Sequence, residues 1–330
     1  MSMGTATSFS WKRYRRRFRE PLRTGRGVFF AREGIVLRTE ERGKGAGYGE
    51  IAPWEGFGGE SLDEAESFLR AFRGDAAIPK HFPLVRGAFA MAQEMARAAD
   101  DAPAMPPWRC AALLPAAEED TPPSLAVKRA LGFDTFKLKI AASRFPDEAC
   151  RVRTLLDTLL PGERLRLDAN GALDSLTPWL PLMEDDRVEF LEQPFPPDRM
   201  ARENFAVLPP ALAAKLALDE SVSGAASLPE NWLGVVVVKP LLLGDWGAFR
   251  RWRRAMPECP VVYSSSFETA AGRETALRLM AEDPAARTLA HGFDTLGTFE
   301  ADGWEAHAGG ASLAPLRWSR PKWEAWWQAL

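Results

Sequence analysis

The strongest constraint in this chain is a series of short apolar segments, about 20 to 30 residues apart, several of which end in a charged side chain. The segments are Cys110–Leu114, Thr135–Ile140, Leu165–Asp168, Val188–Glu192, Lys215–Asp219, Gly234–Lys239, Val261–Ser265 and Leu289–Phe293. Amphipathic stretches such as Asp147–Leu160, Asp245–Met256 and Ala270–Glu282 separate most of them. Apolar strand alternating with helix is the pattern of parallel β/α units. The expectation is therefore an α/β chain whose eight strands close into a parallel β/α barrel. An open doubly wound sheet fits less well, because no glycine-rich phosphate turn follows the first strand.

In a β/α barrel the chemistry sits at the C-terminal ends of the strands. Five consecutive strands here end in polar groups: Lys137 and Lys139, then Arg166, Asp168 and Asn170, then Glu192, then Asp219 and Glu220, then Lys239. Side chains alternate along a strand, so Lys137 shares a face with Lys139, and Arg166 with Asp168 and Asn170. Asp168, Glu192 and Asp219 form an all-oxygen set with no nearby histidine or cysteine, which suits Mg²⁺. Lys139 and Lys239 flank that set in strand order and face each other across the barrel.

This arrangement suits removal of a proton next to a carboxylate. The dianionic enediolate so formed needs a divalent cation and further donors to take up its charge. A second ammonium and a nearby cation both disfavour a protonated lysine, and Lys137 is expected to act in this way on Lys139. A Lys-x-Lys on a strand, taken alone, is more often a solvated face. The joint order and spacing carry the argument, because five charged strand ends are costly to bury without purpose.

Residues 1–105 read differently. Ser8–Arg19, Arg32–Thr39 and Gly45–Ile51 suggest an antiparallel meander, and Leu62–Phe72, with Ser61 and Glu64 as a capping box, suggests a helix. A second helix is expected over Leu84–Ala99. This α+β unit closes at the proline-rich Asp101–Trp108. The expected division is a cap over 1–105, completed by a tryptophan-rich tail over about 305–330, and a barrel over 106–304. Gly25 and Gly27 around Arg26 mark a loop expected to close over the site and touch the substrate.

Composition removes several alternatives. Lys plus Arg number 42 against 45 Asp plus Glu, a formal charge of -3, so there is no global pull toward nucleic acid or acidic lipid. Three separated cysteines without a C-x-x-C argue against a disulfide scaffold and for a reducing, cytoplasmic setting. No secretory leader and no membrane-length apolar stretch is read, so no membrane partner is expected. The competing feature is the basic run Lys12, Arg13, Arg15, Arg16, Arg17, Arg19, Arg23 and Arg26, which as a flexible arm would bind nucleic acid. Interleaved Trp11, Tyr14 and Phe18 favour one face of a strand instead. His81, His291 and His307 are expected to have no catalytic role, although His291 could line the pocket. Oligomeric state is not readable.

Taken together these motifs resemble the enolase superfamily, in its muconate-lactonizing group with lysines on opposite faces. Within that group the match is nearest to the o-succinylbenzoate synthase family. It rests on "EPLRTGRGVFFAREGIVLR" (Glu20–Arg38), "GEIAPW" (Gly49–Trp54), "LRLDANGAL" (Leu165–Leu173), "SSSFET" (Ser264–Thr269) and "GFDTLG" (Gly292–Gly297). The resemblance implies an α/β fold, a modified TIM barrel (β/α)7β with an α+β N-terminal capping domain, and a Mg²⁺-dependent lyase of quinone biosynthesis acting on a small carboxylate substrate. Lys139 would be base and then acid, Lys239 the stabilising cation, and Asp168, Glu192 and Asp219 the metal ligands. Arg166, Asn170 and Glu220 would support them, and Ser264 and Gly292 would touch the substrate's succinyl arm. N-succinylamino acid racemases and dipeptide epimerases use the same lysines and ligands and remain the alternatives.

Overall fold

Alternating bulky and basic residues form a long hairpin at the start of the chain: β1 (Thr7–Thr24) pairs antiparallel with β2 (Gly27–Glu41), and β2 with β3 (Gly45–Ile51). The computed structural model describes residues 7–24, 27–41, 45–54, 56–74, 76–97, 107–115, 121–295, 297–300 and 310–330. Gly25, Arg26, residues 101–106 and His307 lie outside them, so the proposed closing loop and most of the proline-rich connector receive no description.

Along β1 the two faces divide by parity. Tyr14, Arg16 and Phe18 are buried, while Arg13, Arg15 and Arg17 are exposed. Arg13 pairs with Glu33, Asp63 and Glu66, and Arg15 with Glu33. The basic run from Lys12 to Arg19 is thus the two sides of a paired strand.

Helix α1 (Leu62–Ala71) opens with the expected capping box, Ser61 N–H donating to Glu64 at 2.8 Å and Glu64 N–H to Ser61 at 3.3 Å. Helix α2 (Pro83–Arg97) begins where the Glu60 carboxylate accepts from Leu84 and Val85 N–H, at 3.1 and 2.7 Å. Both helices pack their apolar faces on Ile35, Leu37 and Ile51 of the sheet.

Beyond a short β4 (Trp108–Arg109), the barrel strands are β5 (Ala112–Leu113), β6 (Thr135–Lys139), β7 (Arg164–Asp168), β8 (Val188–Glu192), β9 (Leu216–Leu218), β10 (Val235–Val238) and β11 (Val261–Tyr263). They form one parallel sheet in chain order. The intervening helices are α3 (Thr121–Ala130), α4 (Phe145–Thr158), α5 (Leu180–Met183), α6 (Pro197–Met200), α7 (Pro210–Ala213), α8 (Trp246–Ala255) and α9 (Ala270–Ala281). After β9 the excursion is only a 3₁₀ turn, Ala225–Ser227.

The eighth strand is shorter than the apolar run Leu289–Phe293 suggests. Only His291 and Gly292 pair, with Cys110 and Ser264 respectively, yet this closes the barrel. Ser265 N–H donates to Gly292 C=O and Ala111 N–H to His291 C=O, each at 2.8 Å. Gly292 is glycine for a steric reason: a Cβ there would lie 2.8 Å from Ser264 Oγ.

After closure the chain returns to the cap. Phe299 bridges antiparallel to Phe18, so residues 298–300 extend the cap sheet beyond β1. A last strand β12 (Ser312–Leu313) pairs with β4, and helix α10 (Arg320–Ala329) follows. Its Trp323, Trp326 and Trp327 are buried against Tyr14, Val36, Tyr48 and Met95 of the cap, the packing expected of the tryptophan tail.

Candidate active site

Strand register sets the site. Lys139 on β6 lies opposite Asp168 on β7, and Asp168 opposite Glu192 on β8, a row of three charged groups across neighbouring strands. Asp219 and Lys239 follow the ends of β9 and β10 directly. Below the row lies an apolar cluster of Phe190, Ala217, Val235, Val237 and Val262, with Arg166 over the Phe190 ring as a buried charge beside it.

The carboxylates of Asp168, Glu192 and Asp219 sit in residues only 1, 2 and 5% exposed. Lys137 Nζ bridges the first two, at 2.7 Å from Asp168 and 2.9 Å from Glu192. Lys239 Nζ pairs with Asp219 and rests 4.4 Å from the ring centre of Phe57, a cap residue. Burial works against the charge on Lys137, but Asp168, Glu192 and Asp219 outweigh it and raise its pKa, so this lysine is an ammonium ion. Its charge is spent on two carboxylates, where the sequence reading had it acting on Lys139.

Burial also pushes Asp168 up, and Lys137 and Lys139 more than offset that and hold it below the usual range. Glu192 goes the other way, pushed up to about 8 by burial first and the Asp168 charge second. The crowding of three buried carboxylates thus makes Glu192 the one that holds its proton most readily.

Among the described residues, no three His, Cys, Asp or Glu side chains already converge as a metal cluster. The carboxylates turn to lysines instead. The donor chemistry nevertheless fits Mg²⁺: three buried hard oxygen ligands, one of them with its pKa raised by burial and the neighbouring Asp168 charge, and Glu220 Oε2 buried without a partner beside them.

The supporting residues divide. Asn170, in a left-handed conformation at φ 45°, donates from Nδ2 to Glu220 Oε1 at 3.3 Å and from its N–H to Asp168 at 3.1 Å. Burial and the Asp219 charge raise the Glu220 pKa. Arg166, expected as a neighbour of Asp168, is not part of this group. It lies one inward layer deeper, over the Phe190 ring, and bonds Glu189 at 2.5 Å and Ala290 C=O at 2.8 Å. Shared parity gave its face but not its depth. Ser264 and Gly292 stand side by side at the mouth, as the closing bridge requires.

His291 does not line a pocket. It is 0% exposed, accepts from Tyr263 N–H at 3.1 Å and lies 2.6 Å from Ala286 C=O, and burial lowers its pKa to about 4.

Three residues given no role in the sequence reading shape the site. Gln193 accepts from the N–H groups of Asp219 and Ser221 and donates to Ser221 Oγ and Phe195 C=O, so it ties the ends of β8 and β9 together. Its position after Glu192 is visible in the sequence, but Asp219 and Ser221, the partners that give it this role, lie beyond the next strand. Glu50 and Arg32 reach from the cap to the segment after β11. Glu50 was visible only as part of "GEIAPW". A cavity of about 550 Å³ beside Arg32 is lined by Phe29, Trp54, Glu60 and the glycines at 56, 58 and 59. All of its lining residues belong to the cap. A second cavity of similar size, between α8 and the start of the turn after α9, is remote from the lysines.

Residues 124–257 match the family model described as enolase C-terminal domain-like. The o-succinylbenzoate synthase of Thermosynechococcus vestitus is 33% identical, over 87% of this chain and 92% of its own. That of Escherichia coli SMS-3-5 is 30% identical, over 76% of this chain and 79% of its own. A crystal structure of o-succinylbenzoate synthase from Thermosynechococcus elongatus, with Mg in its active site, superposes with a TM-score of 0.77 at 29% identity, covering 98% of this chain and 99% of that one. A dipeptide epimerase from Methylococcus capsulatus shares the fold, with a TM-score of 0.73 at 19% identity, over 88% and 91% of the two chains. Full-length likeness to these synthases, over the same strands that bring Lys139, Asp168 and Glu192 into one row, places the chain in the o-succinylbenzoate synthase family of the enolase superfamily.

Proposed function

We propose that this protein is an o-succinylbenzoate synthase, a lyase that removes water from 2-succinyl-6-hydroxy-2,4-cyclohexadiene-1-carboxylate to give o-succinylbenzoate. The observation that carries this is the 33% identity spanning 87% of the chain. Mg²⁺ is the cofactor, held by Asp168, Glu192 and Asp219, and when bound it supplies Lewis-acid stabilisation of charge on the substrate carboxylate.

Lys139 takes the proton next to that carboxylate and returns a proton to the departing hydroxide from the same face. Lys239, held from the opposite side by Asp219 and Phe57, stays in place as a cation against the ring. Lys137 keeps Asp168 and Glu192 oriented, and the Asn170–Glu220 and Gln193 contacts fix the loops bearing the ligands. Ser264 and Gly292 line the succinyl arm, with Arg26 contributing from the cap. Aromatisation supplies much of the driving force, so the protein's task is positioning and charge. The cap, residues 1–105 with the tail over 305–330, covers a barrel of residues 106–304. The setting is cytoplasmic, with no nucleic-acid or membrane partner; among the described residues no helix is long and apolar enough to cross a membrane.

An observation at the closing strand separates this reading from dipeptide epimerase. Asp294, the one acidic group in "GFDTLG", pairs with Lys128 and accepts from Leu113 N–H at 3.0 Å. It is committed internally rather than offered to a substrate ammonium.

The test is incubation in deuterated water with the cyclohexadiene substrate, with N-succinyl amino acids and with dipeptides. Formation of o-succinylbenzoate is expected. Deuterium entering the α-position of the amino-acid substrates, with no o-succinylbenzoate formed, would replace this reading by the racemase or epimerase one.

A further inference from the structure

In many β/α barrels the helix N-terminus near the seventh and eighth strands serves as an anion site, because its first N–H groups have no partners within the helix. Here α9, which follows the seventh barrel strand β11, already has its anion. The Glu50 carboxylate, carried by β3 of the cap and only 1% exposed, accepts from Thr269 N–H at 2.9 Å, Gly272 N–H at 3.1 Å and Thr269 Oγ1–H at 2.5 Å. Tyr14 O–H donates to its other oxygen at 2.5 Å. Gly272 leaves room for this, since a Cβ there would lie 2.6 Å from Glu50 Oε2.

The segment between β11 and α9 is held from the cap at two further points. Arg32 donates to Ser266 C=O at 3.1 Å while its other N–H groups bind the carbonyls of Ala52 and Pro53, and Arg16 donates to Glu268 C=O at 3.4 Å. Within the segment Phe267 is left-handed, at φ 62°, a conformation costly for a bulky residue unless its surroundings impose it. Phe18, Trp54 and Phe299 pack around its ring. Cap groups thus set the backbone of residues 265–269, next to Ser264 at the mouth, and none of these contacts reaches Asp168, Glu192 or Asp219.

We propose that Glu50 is a positioning residue: by occupying the N-terminus of α9 it fixes the Ser264–Thr269 segment as the wall of the substrate pocket, and so governs substrate binding independently of the metal-holding strands. The proposal rests on the synthase reading for the identity of the substrate, so one arm of its test needs no substrate.

Full-length, Mg²⁺-loaded protein is compared with Glu50→Gln and Glu50→Ala by hydrogen–deuterium exchange and by steady-state kinetics on the cyclohexadiene substrate. The expected result for Glu50→Ala is exchange accelerated about tenfold or more over residues 264–273, KM raised by a similar factor, and kcat kept within about threefold. Half-saturation by Mg²⁺ stays unchanged, and added formate lowers KM again. Glu50→Gln, which keeps the shape and one acceptor, shows the same pattern at smaller amplitude, and it carries the test should the alanine variant fail to fold. Unaltered exchange in both variants overturns the proposal. So does a fall in Mg²⁺ affinity and kcat in step with KM, or a lowered Tm with KM unmoved. If wild-type protein does not turn over the substrate, the synthase reading fails, and the exchange arm still decides whether Glu50 fixes the segment.

Discussion

The barrel mouth has two halves, organised on different principles. From β6 to β10 it is ionic: Lys137 pairs with Asp168 on the next strand and Glu192 on the one beyond, and Lys239 pairs with Asp219. From β11 to the closing bridge at Gly292 it carries serines and backbone, held in place by Glu50, Arg32 and Arg16 from a different part of the chain. Under the proposed roles the first half places charge where bonds change, and strand register positions it. The second has no charge of its own facing the mouth, so its shape must be imposed from outside, and the cap does that. Chemistry and substrate fit can therefore vary separately.

Substitutions in the ionic half should break this comparison most severely if the assignments are wrong. Lys139→Ala should lower kcat by about 10³-fold or more, with the circular dichroism spectrum and Mg²⁺ binding retained, because the general base is gone while the ligands stay. Substantial turnover in that variant would remove Lys139 from its role. Asp219→Asn should weaken Mg²⁺ on the order of 100-fold, read as the metal concentration that half-restores activity after chelation. An unchanged value would mean the ligand set has been drawn from the wrong strands.

The other half offers a smaller effect. Burial lowers the His291 pKa to about 4. In the unfolded chain it is about 6.5, so between these values the unfolded state binds a proton that the folded state does not. Stability should therefore fall as pH drops from about 6.5 to about 4, by as much as about 3 kcal/mol. His291→Gln should flatten the dependence of Tm on pH across that window, and parallel curves for the two proteins would show that the histidine is not the group responsible. The smallest change expected is in the cap. Ser61→Ala removes one arm of the capping box on α1 and should cost about 1 kcal/mol in urea unfolding, with kcat untouched. A measurable loss of kcat there would show that the two halves are less separate than drawn.

The same division decides what could be read from the sequence. The ionic half was legible because apolar strands ending in charge recur at regular spacing and a two-residue period assigns their faces; Lys139, Asp168 and Glu192 fall in one row as that logic requires. Arg166 marks its limit, since the period names a face and says nothing of which layer a long side chain reaches. Closure by two residues where a five-residue segment suggests a strand is a second limit, because pairing depends on neighbours that are distant in sequence. Glu50 meets Thr269 across 219 positions, and no local pattern marks either as the other's partner. The capping box at Ser61, by contrast, is local and was fully readable.

The Phe18–Phe299 bridge also has a kinetic meaning. The hairpin precedes residues 298–300 by more than 250 positions and gains its outer neighbour only when they arrive, and Lys12 bonds Trp327 C=O at 2.8 Å later still. Contacts of such sequence separation form slowly, since a long loop must be ordered before any of them stabilises the fold. Between the synthesis of β1 and that of residues 298–300, then, Phe18 lacks the Phe299 ring that covers it, and this is the interval in which a chaperone or an aggregation partner competes for it.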